Sequence, residues 1–77
     1  MTNAVDILLV GGPAHGRMVC ARRPVSATIE VPTGGIAVYK TEAFGRYRIA
    51  RAADLDITDE EVEAAIAYAN LQPSWDL

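Results

Sequence analysis

The chain's only histidine, His15, lies in the stretch LLVGGPAHGRMVC, Leu8 to Cys20, where three glycines and a proline separate two apolar runs. An imidazole suits general-base work near neutral pH. A hydrolytic triad also needs a nucleophile and an orienting acid. Ser26, Ser74 and Cys20 are the serine and cysteine candidates, and none sits in a nucleophile-elbow pattern. The glycine spacing from Gly11 to Gly16 imitates a phosphate-binding loop. That loop requires Lys-Ser/Thr after its last glycine, and Arg17-Met18 stands there instead. The segment that follows reads as a strand, so no helix N-terminus is at hand for an anion. The dinucleotide fingerprint fails on the same ground. The stretch is therefore expected to be a hairpin corner, with Pro13 and Gly16 shaping the turn. Cys20, in mid-strand, reads as a small buried hydrophobe rather than a reactive thiolate. One cysteine and one histidine do not make a four-ligand zinc site. No catalytic residue, metal or cofactor is expected, and the chain is not read as an enzyme.

The remaining groups with chemical reach are arginines and a C-terminal aromatic. Alternation along the putative strands lets Arg22, Arg46 and Arg48 share one outer sheet face, with Arg23, Lys40 and Arg51 at its margins. Arginine binds phosphates well, and such a face with interleaved aromatics suits single-stranded nucleic acid. Tyr39, Phe44 and Tyr47 are its only aromatics, and Tyr47 is expected to face the core. The net charge of −3 also runs against a nucleic-acid domain. That charge is unevenly spread. All seven basic residues lie between Arg17 and Arg51, where only Glu30 and Glu42 oppose them, and residues 52–77 hold seven acids and no base. The simplest reading is a basic sheet packed beside an acidic helix. The ending LQPSWDL carries the sole tryptophan. Trp75 either folds back on its own chain or anchors a contact with another. Tyr68, Leu71, Trp75 and Leu77 form the expected partner-binding surface.

These groups need elements to hold them. VDILLV, Val5 to Val10, is a short continuous apolar run bounded by glycines, the pattern of a strand buried on both faces. GRMVCARR follows the corner, with Met18 and Cys20 on one face and Val19 and Ala21 on the other. SATIEV alternates, with Ile29 and Val31 inward. Pro32 to Gly35 is a turn, IAVYKT the return strand and EAFG a further turn. RYRIAR then places Tyr47 and Ile49 opposite Arg46 and Arg48. The character changes at DITDEEVEAAIAYANL. Thr58 is an N-cap with Glu61 three residues on, and Asp59, Glu60 and Glu61 favour the positive end of the helix dipole. Val62, Ala65, Ile66 and Ala69 share one face. Pro73 ends the helix near Asn70 or Leu71. The fold class is therefore α+β: an antiparallel β-meander of four to five strands, open to curling into a partial barrel, with one C-terminal helix. Residues 1–71 form the domain and 72–77 a tail.

Seventy-seven residues allow one domain with a thin core, so a partner is a plausible stabiliser. No leader segment and no run of about 20 apolar residues is read, and one unpaired cysteine fits a reducing compartment. The expected location is the cytoplasm.

Strand, GGPAHGR, strand, IEVPTGGIAVYK and GRYRIAR together resemble a group of small phage- and prophage-encoded proteins. Many of these open with a strand and Gly-Gly-Pro-x-x-Gly-Arg, then place Val-Pro, a tyrosine and an Arg-Tyr pair at similar intervals. The resemblance covers Ile7 to Arg51, leaves out the helix and tail, and carries over no catalytic residue. It implies a phage or prophage origin, with the host cytoplasm or the virion as location. The expected function is a non-enzymatic protein-interaction module that binds a protein partner and itself. Single-stranded nucleic-acid binding by the arginine face is the alternative.

Overall fold

The structure, a computed structural model, describes residues 4–22 and 24–71. Five strands and one helix follow in order: β1 (Ala4–Val10), β2 (Met18–Arg22), β3 (Thr28–Pro32), β4 (Ile36–Phe44), β5 (Tyr47–Ala52) and α1 (Asp59–Ala69). The strands form one sheet in the order β2-β1-β5-β4-β3. Neighbours are antiparallel except β1 and β5, which run parallel with Leu8 beside Ile49 and Val10 beside Arg51. The α+β class, the mostly antiparallel sheet and the C-terminal helix are as the sequence implies. The meander is continuous only through β3-β4-β5, and the β1–β2 hairpin docks along the free side of β5.

This topology favours a curled sheet. β2 and β3 are opposite edges of the sheet, yet residues 23–27 alone connect them. Flat, five strands would hold those edges about 19 Å apart. Six Cα steps span only about 20–22 Å at full stretch. The connector is not stretched, because Val25 packs into the core and the carbonyls of Ser26 and Ala27 accept hydrogen bonds from Thr41. The sheet bends into a half-barrel instead.

Curling produces two apolar layers. The concave side is filled by Val5, Ile7, Leu9, Ala14, Val31, Tyr39, Ala50 and Ala52. The convex side carries Leu8, Val10 and Ile49 beneath Val62, Ala65, Ile66 and Leu71 of the helix and its exit. β1 serves both layers, so Ile7, Leu8 and Leu9 are all fully buried. That is why VDILLV lacks polar alternation.

The helix begins as expected. Thr58 is extended at the N-cap, and its Oγ1 accepts the Glu61 amide at 3.2 Å. It ends at Asn70, which takes a left-handed φ of 53°. The Asn70 amide donates to the Ala67 carbonyl and the Leu71 amide to the Ile66 carbonyl. This is a Schellman closure, and the apolar pair that accompanies it, Leu71 and Ile66, packs in the convex core.

Candidate interaction surface

The glycine corner shows what the histidine does. In the β1–β2 loop the Gly11 amide donates to His15 Nδ1 at 2.7 Å. The Tyr39 hydroxyl donates to the Gly11 carbonyl at 2.7 Å and accepts the Ala14 amide at 3.0 Å. The amides of His15, Gly16 and Arg17 donate to the carbonyls of Gly12, Leu9 and Ala14. A phosphate cradle works through unengaged amides, and the amides of Gly11, Ala14, His15, Gly16 and Arg17 are all engaged. Two of the glycines are there because the backbone comes close to its neighbours. A Cβ on Gly11 would lie 2.4 Å from Ile57 Cδ1, and one on Gly12 would lie 3.0 Å from the Tyr39 hydroxyl. The corner is a hairpin turn locked from below by a buried tyrosine. That tyrosine was legible in the sequence only as an aromatic of the arginine face.

The arginines do not assemble. Arg22 is paired with Ala4, which places it on the convex side with Asp6 and Leu8. Arg48 is paired with Ala43 and precedes Ala50, on the concave side. Arg46 lies in the two-residue turn between Phe44 and Tyr47, outside either strand. The expected shared face is therefore corrected. Both faces of β5 are buried, so alternation there sorts residues between two cores rather than between core and solvent. Tyr47 faces the convex core, as expected. Arg48 is half-buried, and its Nε meets no hydrogen-bond partner among the described residues. Arg23 lies outside the described residues.

Arg51 joins sheet to helix. Its Nε binds Glu42 Oε1, its Nη2 reaches Asp59 Oδ1 at 2.8 Å, and its Nη1 donates to the Ile57 carbonyl at 2.7 Å. The hydrogen bond to Asp59 is the largest influence raising the guanidinium pKa above its ordinary value; burial opposes it and Glu42 supports it. The expected pairing of basic sheet with acidic helix is realised at this contact. Glu60, Glu61 and Glu63 stay exposed, as do Asp54 and Asp56.

Cys20 is exposed, not buried as expected. The inward places on β2 belong to Val19 and Ala21, which pack on the concave core, and the helix does not extend over this edge.

The helix covers β1, β5 and the end of β4, and leaves the start of β4 open. There Ile36 is 70% exposed and Val38 39% exposed. Both lie on the convex side with Lys40, paired across to Pro32, Glu30 and Thr28 of edge strand β3. The Ala53 amide binds the Val38 carbonyl, which brings the segment holding Asp54 and the 49% exposed Leu55 alongside. This apolar strip, bordered by Lys40, Glu30, Asp54 and Asp56, was missed in the sequence, where Ile36 and Val38 passed for ordinary strand residues. Its only signal there is the pair of β-branched residues outside the VDILLV pattern.

The expected helix-and-tail surface divides. Tyr68 is 94% exposed, whereas Leu71 is 7% exposed and belongs to its own chain's core, so it presents nothing to a partner. Trp75 and Leu77 lie outside the described residues. Among those residues no helix is long and apolar enough to cross a membrane, and no group of three or more His, Cys, Asp or Glu side chains could hold a metal ion. No family model, no curated protein and no solved structure matches this chain.

Proposed function

We propose that this chain is a non-enzymatic protein-interaction module of phage or prophage ancestry that pairs with a second copy of itself through the Ile36–Val38 strip. The observation that carries the reading is the exposure of those two side chains on a sheet face whose other half is sealed by a helix. Apolar residues grouped in this way mark contact surfaces more often than isolated ones do. The border supports a second copy as the occupant. It holds both signs, Lys40 against Glu30, Asp54 and Asp56, and a two-fold interface must be complementary to itself. The thin core of so short a chain adds a reason to associate. The ancestry rests on the Gly-Gly-Pro-x-x-Gly-Arg resemblance.

Sedimentation equilibrium from micromolar to millimolar protein tests the reading. The wild-type chain is expected to dimerise, and Ile36→Glu to remain monomeric with an unchanged circular-dichroism spectrum. Substitution at so exposed a place should alter stability by no more than about 0.5 kcal/mol. A wild-type chain that stays monomeric throughout, or an Ile36→Glu chain that dimerises equally well, refutes it.

A further inference from the structure

On the convex side, Glu61, Ala64, Ala65 and Tyr68 form one stripe of α1. The stripe faces Val10, Gly11 and His15 of the hairpin corner across an open groove of about 400 Å³. The groove exists because the helix carries alanines where it passes a glycine, so neither wall fills the space between them. Tyr68 stands at one end of the stripe and Glu61 at the other. We propose that this groove is the seat of Trp75 from the same chain.

The residues beyond the described structure make Trp75 the natural occupant. The left-handed turn at Asn70 and the burial of Leu71 direct the chain back toward its own sheet. Pro73 then prevents the helix from resuming. From Leu71, four extended residues reach about 13–14 Å. The groove floor at Ala64 and Ala65 lies six to seven residues back along the helix, about 9–11 Å at its rise per residue. Trp75 therefore reaches the floor without loss of any helical turn, and the groove has room for one indole. The chemistry also matches. Val10, Ala64 and Ala65 offer an apolar bed, and the Tyr68 ring can pack against the indole at an aromatic pair's preferred offset. The indole N–H can only donate, and the Glu61 carboxylate at the rim accepts. His15 is the wrong partner for it: with Nδ1 accepting the Gly11 amide, a neutral ring carries its hydrogen on Nε2.

Because Trp75 is the only tryptophan, its fluorescence reports on this seat alone. The test uses the full chain in the Ile36→Glu background as well as wild type, so that it stands whether or not the strip dimerises. Expected are a blue-shifted emission and an acrylamide quenching constant several-fold below that of the urea-unfolded chain, both unchanged on dilution. Ala64→Gln keeps a good helix former at an exposed position and fills the groove. It should move the emission to the unfolded value while helical circular dichroism persists. Tyr68→Ser, at the 94% exposed end of the stripe, should raise quenching without unfolding the chain. An indole as accessible as in urea, an emission indifferent to both substitutions, or a blue shift that fades on dilution (the indole then seated in a second copy) overturns the proposal.

Discussion

Replacing Tyr39 with phenylalanine removes one oxygen atom and nothing else. The ring is fully buried in the concave core and phenylalanine retains its shape, so no large cavity forms. What disappears is the bridge under the glycine corner. The Ala14 amide, on a residue 1% exposed, loses its acceptor, and the Gly11 carbonyl loses its donor. A buried donor left unmatched costs about 1–3 kcal/mol, and the second, partly buried bond about 1 kcal/mol more. The expected loss is therefore about 2–4 kcal/mol. Total stability for this chain length is about 4–11 kcal/mol, so the loss is a large fraction of it. At about 4–8 °C per kcal/mol for domains of this size, the melting temperature should fall by roughly 8–32 °C. Urea unfolding followed by circular dichroism gives the free energy. Hydrogen exchange at the Ala14 amide gives the mechanism, because that amide should lose protection more than its strand neighbours do. A loss below about 0.5 kcal/mol, within the range of an ordinary surface substitution, would refute the claim that the phenol holds the corner.

Two further outcomes follow from the same geometry. Gly11→Ala and Gly16→Ala both place alanine at positive φ, 81° and 86°, but only the first meets an obstacle, Ile57 Cδ1 at 2.4 Å, while nothing lies within 4 Å of the second. Gly16→Ala should cost about 1–2 kcal/mol from backbone strain alone, and Gly11→Ala measurably more; equal midpoints in urea would contradict the close approach. Arg51→Met keeps the aliphatic stem and removes the guanidinium that ties Glu42, Ile57 and Asp59 together. With Asp59 largely exposed, the loss should be about 1–2 kcal/mol and smaller in high salt, as read from melting curves at two ionic strengths.

The candidate surface was legible only in fragments. Tyr68 is exposed on the helix. Leu71, one residue past the helix, looked just as available, but the left-handed turn at Asn70 swings it under Ile66. The arginine face failed for a different reason. Alternation says which residues of one strand share a side, not which sides of two strands coincide. Arg22 and Arg48 are assigned by the pairing of β1 with both β2 and β5, a long-range fact. The Ile36–Val38 strip is exposed because the helix packs over β1, β5 and the end of β4 and leaves the start of β4 uncovered, a matter of tertiary placement.

Local chemistry lay in the sequence itself. A run of apolar residues ending in glycine specifies the buried strand, Thr58 with Glu61 specifies the helix start, and the missing Lys-Ser/Thr removes the phosphate loop. Each depends on residues within one or two turns of each other, where dihedral preference and capping decide the outcome. Pairing and coverage were decided only in three dimensions. β1 lies parallel to β5, and the short connector between β2 and β3 joins the two edges of a curled sheet. That curl brings the Tyr39 hydroxyl beneath the Gly11 carbonyl, 28 residues away. The glycine corner is therefore explained by a tyrosine on another strand, a contact that no local pattern encodes.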